Sequence, residues 1–238
     1  MVSSVCICQT MVFAQSWESG ERQVTLIELY TSEGCSSCPP AEAYFNQLKN
    51  RARLWKDYVP VVFHVDYWDY LGWKDIYARP EHALRQRHYV AQGGVNSVYT
   101  PAVLSNGYAW RWWRVNSEVS VSENIVGNLK LSINDGEVDA FFNAKQTLPA
   151  SFSLNVALLG MNINSEIHSG ENEGKTAEHN FVVLCHAQHS SDNLHWKFTF
   201  NCNSKLSLSE RSLVAWITPV GRLKPIQAVG GTYKSVNY

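Results

Sequence analysis

Residues 31–40 read TSEGCSSCPP: two cysteines, Cys35 and Cys38, with two small polar residues between them and two prolines directly after. Upstream, VTLIELY (24–30) is a run of aliphatic and β-branched residues that reads as a buried strand. Downstream, PPAEAYFNQLKNRARL (39–54) sets Ala41, Tyr44, Phe45, Leu48 and Leu54 on one broad face, with the prolines at the start, where a missing N–H costs least. A helix is therefore expected after the cysteines. VPVVFHV (59–65) then returns as a second apolar strand, far enough along for a helical crossover. The economical reading is a parallel βαβ unit with the cysteine pair at its first strand-to-helix turn.

The pattern continues through an aromatic loop, DYWDYLGWKDIYARP (66–80), and a helix from about Glu81 that stops at Gly93-Gly94. SVYTPAVLSNGYAW (97–110) reads as a strand, an Asn106-Gly107 hairpin turn and a returning strand. An amphipathic helix near Ser122 to Ile133 is expected to close this half. After Asp135-Gly136 the texture changes to short alternating or apolar segments: EVDAFFNA, SFSLNVALLGM, HNFVVLCHAQ, HWKFTFNCN and SLVAWITPVG. A CxxC beside a βαβ pattern points to a thioredoxin-like α/β domain, here over 21–134, and the β-rich remainder to a smaller all-β, sandwich-like domain over 135–238.

Composition narrows the function. The 238 residues are 45% hydrophobic with nine tryptophans, enough for a substantial core. A formal net charge of −1, with no dense Lys/Arg cluster, lacks the electrostatic footprint of a nucleic-acid binder. No apolar run approaches the roughly 20 residues of a spanning helix, so no membrane span is expected. Residues 1–20 hold a short apolar stretch ending in Val12-Phe13-Ala14, suited to a leader cut and export, although no Lys or Arg precedes Arg22. A periplasmic or secreted protein is expected, and removal of Cys6 and Cys8 with the leader leaves four cysteines.

The chemistry falls on Cys35 and Cys38. A thiol at a helix N-terminus faces unpaired N–H groups and the positive end of the dipole, which favours the thiolate. The second cysteine, one turn later, can resolve a mixed disulfide. Structural zinc needs four ligands, and the chain has no second CxxC. A staple closing so small a loop removes little chain entropy. In thioredoxin-like folds a cis-proline opens the strand facing the dithiol. Thr100-Pro101 stands at that place, with a trans proline at a strand's first residue as the alternative.

Glu28, on the strand leading into the turn, is a candidate proton shuttle for the resolving thiol, or simply an outward strand position. His64, Asp66 and Asp69 end the second strand, on the side where α/β sheets carry their sites; they either flank the dithiol or hold the aromatic loop. Thr100, Trp68, Trp73 and His64 are the candidate substrate contacts. Tyr67, Trp68, Tyr70 and Trp73 offer an apolar platform for an unfolded client, or core packing. Trp110, Trp112 and Trp113 remain unassigned. Glu33 beside the box opposes a very low thiolate pKa.

ELYTSEGCSSCPPAEAYFNQL (28–48), FHVDYWDYLGWKDIYA (63–78), RQRHYV (85–90), SVYTPAVLSNG (97–107) and GENEGKTAEHNFVV (170–183) together resemble a bacterial family of predicted secreted proteins with a thioredoxin-like region and no settled role. The resemblance runs over nearly the whole chain after the leader. It implies a thioredoxin-like fold, export, and Cys35 with Cys38 as the redox pair. Cys185 departs from that family's pattern.

HNFVVLCHAQ and HWKFTFNCN flank the polar turn SSDN (190–193), so an antiparallel hairpin sets Cys185 almost opposite Cys202. Facing residues stand roughly 4.5–5.5 Å apart at Cα, close enough for a cross-strand disulfide. A metal site of Cys185, His186, His189 and His195 is the weaker idea, because adjacent strand residues point to opposite faces. The expected function is extracytoplasmic thiol–disulfide exchange with protein or small-molecule thiols and disulfides, without a cofactor. The alternatives are delivery of a soft metal such as Cu(I), held by the CxxC with His64, and a structural interaction module.

Overall fold

The structure is a computed structural model, and it describes residues 14–115, 117–146, 151–204, 206 and 208–234. Cys6, Cys8 and most of the expected leader lie outside the described residues. The first half carries β1 (Gln15–Glu18), β2 (Thr25–Thr31), α1 (Pro39–Leu48), β3 (Tyr58–His64), α2 (Pro80–Ala91), β4 (Ala102–Ser105) and β5 (Tyr108–Ala109). The second carries β6 (Gly127–Asn134), β7 (Glu137–Ala144), β8 (Phe152–Met161), β9 (Ile163–Glu166), β10 (Thr176–His179), β11 (Val182–Ser191), β12 (His195–Thr199), β13 (Glu210–Pro219) and β14 (Gln227–Tyr233).

The halves share one eight-stranded mixed sheet, in the order β14-β13-β8-β11-β3-β2-β4-β5. This corrects the expected thioredoxin-like α/β domain followed by a smaller all-β domain. The βαβ unit exists, with β2 and β3 parallel around α1, yet it is only a part of a sheet that is mostly antiparallel. The physical reason lies in β8 and β13. Phe152, Leu154 and Val156 face one core, Ala157, Leu159 and Met161 the other, and every residue of β8 is buried. A strand apolar on both faces belongs inside a covered sheet.

β11 joins the halves. It runs parallel to β3 and meets it at Val62, whose N–H donates to the Phe181 carbonyl at 2.9 Å. Two residues earlier on the same side stands Pro60, which has no N–H to offer, so the pairing begins only past it. A second sheet, β1-β6-β7-β12, is antiparallel throughout and lays Leu129, Leu131, Val138 and Phe142 over β8, β13 and β14. α1 and α2 cover opposite faces of the β3-β2-β4 region: Thr31 reaches α1 and Glu28, three residues back, reaches α2.

Three local expectations are also corrected. The helix near Ser122 to Ile133 is instead strand β6: Leu129, Leu131 and Ile133 are buried with a period of two, and Asp135-Gly136, both at positive φ, turn the chain into β7. The helix after the cysteines ends at Leu48 rather than Leu54. β11 and β12 do not pair. β11 lies beside β8, and β12 beside β7 in the other sheet. Residues 15–18 form β1 against β6. No helix among the described residues is long and apolar enough to cross a membrane.

Candidate functional site

β2 ends at Thr31, and the chain turns through Ser32, Glu33 and Gly34 into the cysteines. Gly34 is needed for close approach: a Cβ there would stand 3.2 Å from Trp68 Cβ and 3.3 Å from the Trp68 carbonyl. The Cys35 N–H donates to the Ser32 carbonyl and the Cys38 N–H to the Cys35 carbonyl, both at 3.1 Å. Cys38 is the N-cap of α1, with Pro39 and Pro40 filling positions whose N–H groups have no helical partner. Cys35 and Cys38 form a disulfide with Cα atoms 5.4 Å apart. Both are buried, while Ser36 and Ser37 between them are exposed.

Two groups reach Cys35 Sγ: the Thr100 hydroxyl donates to it at 3.1 Å, and Ser37 Oγ lies 3.4 Å away. The Trp68 indole N–H in turn donates to Thr100 Oγ1 at 2.7 Å. The Thr100-Pro101 bond is cis, and β4, which follows it, pairs with β2 so that Ala102 faces Tyr30. The backbone of the cysteine loop is gripped from the second half of the chain. The Asn172 amide donates to the carbonyls of Glu33 at 2.7 Å and Cys35 at 3.0 Å, and Glu171 accepts from the Ser36 N–H at 3.3 Å.

Beneath the loop lies a buried polar cluster. Glu33 accepts from the Trp73 indole N–H at 2.7 Å through one carboxylate oxygen and meets His179 Nε2 at 3.0 Å through the other. His179 Nδ1 meets Glu42 Oε2 at 2.5 Å, and the Thr31 hydroxyl donates to Glu42 Oε1 at 2.6 Å. His64 Nδ1 bonds Asp75 Oδ2 at 2.7 Å, and Asp75 also accepts the Glu33 N–H at 2.9 Å. Burial alone would lower the His179 pKa, but the Glu42 charge and the hydrogen bonds to Glu33 and Glu42 raise it to about 10. Burial likewise works to raise Glu42 and Asp75. His179 outweighs it at Glu42, and His64 at Asp75, so both carboxyls stay below their ordinary value.

Of the residues singled out in the sequence, Cys35, Cys38, Thr100, Trp68 and the cis Pro101 come together. Trp73 and His64 belong instead to the buried cluster, with His64 fully buried. Glu28 stands apart on the α2 side. It is fully buried, receives Arg85 Nε and Nη2 at 3.0 and 2.6 Å, and accepts the Tyr89 hydroxyl. Asp66 and Asp69 hold the aromatic loop: the Asp66 carbonyl accepts the Asp69 N–H, and the Asp69 carboxylate accepts the Asp75 N–H. Glu42, Asp75, Asn172 and His179 carry no CxxC-like signature. The only sequence signal for Asn172 and His179 is their place in the stretch GENEGKTAEHNFVV, one of those that carried the resemblance. Cys185 and Cys202 are bridged, with Cα atoms 5.6 Å apart.

Two solved structures share this architecture. A crystal structure of a protein from Agrobacterium tumefaciens aligns with 92% of this chain and 100% of its own, at 20% identity and a TM-score of 0.62. HBP35 of Porphyromonas gingivalis aligns with 90% of this chain and 76% of its own, at 10% identity and a TM-score of 0.59. At these identities the likeness is one of fold. No curated protein matches the chain. Residues 26–218 match the family described as protein of unknown function (DUF1223), and the chain belongs to that family.

Proposed function

We propose that the protein exchanges thiols and disulfides outside the cytoplasm, through Cys35 and Cys38. The observation that carries this reading is the hydroxyl of Thr100 aimed at Cys35 Sγ and backed by Trp68, at a dithiol that caps a helix N-terminus. A thiolate at Cys35 would be stabilised by that donor and by the helix dipole. Both cysteines are buried, and the hydroxyl contacts of Thr100 and Ser37 fall on Cys35 Sγ, which assigns Cys35 as the attacking sulfur.

In the reducing direction the Cys35 thiolate attacks one sulfur of a substrate disulfide. A mixed disulfide forms, and the other substrate sulfur leaves as a thiolate that takes a proton from solvent. The Cys38 thiolate then attacks Cys35 Sγ, which forms the intramolecular bridge and releases the second substrate thiol. The two electrons gained by the substrate are those lost by the dithiol. The same steps run backwards oxidise a substrate dithiol. The second bridge, Cys185–Cys202, supports the oxidising compartment, where structural disulfides persist.

The test is a redox titration of Cys35–Cys38 in the purified chain against glutathione buffers, read by alkylation and intact mass. A two-electron transition between roughly −300 and −100 mV is expected, and its position separates reductant from oxidant. A pair that stays oxidised across the whole range is a staple, and that result overturns the proposal.

A further inference from the structure

Exchange chemistry leaves the cluster beside the dithiol without a task. His64 is fully buried, and its Nε2 has no hydrogen-bond partner among the described residues. A buried ring nitrogen left without a partner loses its hydration with nothing in return, so it calls for an explanation. A ring nitrogen of His64, a ring nitrogen of His179 and a carboxylate oxygen of Glu42 lie within 4.8 Å of one another. Because Nδ1 of His64 is tied to Asp75, the nitrogen left to face a ligand is Nε2.

The geometry points to a divalent-cation site at His64 Nε2, His179 Nδ1 and Glu42, of the two-imidazole, one-carboxylate class that suits Zn²⁺. Each donor is already oriented by a second residue. Asp75 accepts from His64 Nδ1, Glu33 from His179 Nε2, and Thr31 donates to the second oxygen of Glu42. Carboxylates behind imidazole ligands fix the tautomer and raise basicity, which is the supporting shell that such sites require. His179 Nδ1 and Glu42 Oε2 stand 2.5 Å apart, sharing a proton. Two ligands about 2.0–2.2 Å from one ion sit roughly 3.0–3.6 Å from each other, so metal entry displaces that proton and opens the contact by about 0.5–1 Å.

Access comes from the solvent side. Glu42 and His179 line a cavity of about 300 Å³ together with Ser32, Glu33, Asn172 and Lys175. Two of the three ligands, Glu42 and His179, thus border space for a water or a small anion, the arrangement of an open rather than a closed zinc site. Glu42 lies one turn after Cys38 on α1, its N–H bonded to the Cys38 carbonyl at 3.2 Å, so the ion would sit against the dithiol's helix. The inference does not depend on the exchange chemistry.

The experiment uses the full chain with both disulfides intact, so that no thiolate competes, and titrates it with Zn²⁺ by calorimetry and with Co²⁺ by visible absorption. One ion per chain is expected, with the ligand-field bands of a four- or five-coordinate site. His64→Gln and His179→Gln should abolish the stoichiometric binding. Thr31→Val, which keeps the fold's volume but removes the support for Glu42, should weaken it by roughly 10–100-fold. No stoichiometric binding to the oxidised chain overturns the site. So does stoichiometric binding that survives at parent affinity in a folded His64→Gln protein and in Thr31→Val, since the ion would then be held by exposed histidines elsewhere.

Discussion

The Thr100 hydroxyl lies 3.1 Å from Cys35 Sγ, although the two residues are 65 positions apart in the chain. β4 brings them together by pairing with β2, and Trp68 fixes the hydroxyl by donating to its oxygen, leaving the Thr100 proton for sulfur. For the Cys35 thiolate that the proposed exchange requires, this would be a charge-assisted hydrogen bond, worth about 1.5–3 kcal/mol. Thr100→Val should therefore raise the Cys35 pKa by roughly one to two units, at 1.36 kcal/mol per unit. Thr100→Ser should restore most of it. The measurement is the pH dependence of alkylation rate in the reduced chain; an unchanged pKa in the valine variant would show that the contact does not tune the sulfur.

Glu28 makes a different prediction from the one its sequence position suggests. Its carboxylate is fully buried and bound to Arg85 and Tyr89, with the Arg85 guanidinium also stacked over Phe63, Tyr89 and Trp216 at 5.3–5.4 Å from each ring centroid. Removing one partner of such a pair strands a charge. Arg85→Met should cost about 3–5 kcal/mol by urea denaturation, and Glu28→Gln combined with Arg85→Met distinctly less. Equal losses in the single and double variants would mean that packing around Arg85, rather than its charge, does the stabilising.

What could be read from the sequence follows the range of the interactions. The β2–α1–β3 unit is local, and its periodicities and prolines sufficed; so did Asn106-Gly107, whose positive φ values make the tight turn between β4 and β5. The joining of both halves into one sheet was not legible, because apolar runs such as SFSLNVALLGM state that a strand is buried on two faces but not which strands flank it. The same limit explains the Cys185–Cys202 bridge, where the pairing was right and the hairpin behind it was not. The dithiol announces itself by spacing. His64, Glu42 and His179 converge from β3, α1 and β10, and no spacing in one dimension encodes that.

The Cys185–Cys202 bridge ties β11 of the large sheet to the segment just after β12 of the small one. It closes a loop with a sequence separation of 17, for which loop-closure entropy gives about 3 kcal/mol. Cys185→Ala with Cys202→Ala should lower urea-unfolding stability by about 2–4 kcal/mol while leaving the redox titration of Cys35–Cys38 unchanged. A shift in that titration would instead reveal that the two bridges are coupled.

His82 supplies a pH test that is independent of the thiols. Its side chain is buried on α2, Nδ1–H donates to the His64 carbonyl at 2.8 Å, and its ring meets Phe63 edge-on at 5.0 Å. Burial lowers its pKa to about 4, with smaller effects from His64, Arg79 and Glu81. A histidine depressed in the folded state is neutral there while the unfolded chain takes up a proton. Its stabilising contribution is complete above the unfolded value of about 6.5 and is lost as pH falls toward 4, at roughly 1.4 kcal/mol per unit. His82→Asn keeps a donor for the His64 carbonyl without the titration. Between pH 7 and pH 5 the parent chain should lose about 2 kcal/mol more than this variant in parallel urea denaturations; parallel pH profiles would mean that His82 is already protonated in the fold.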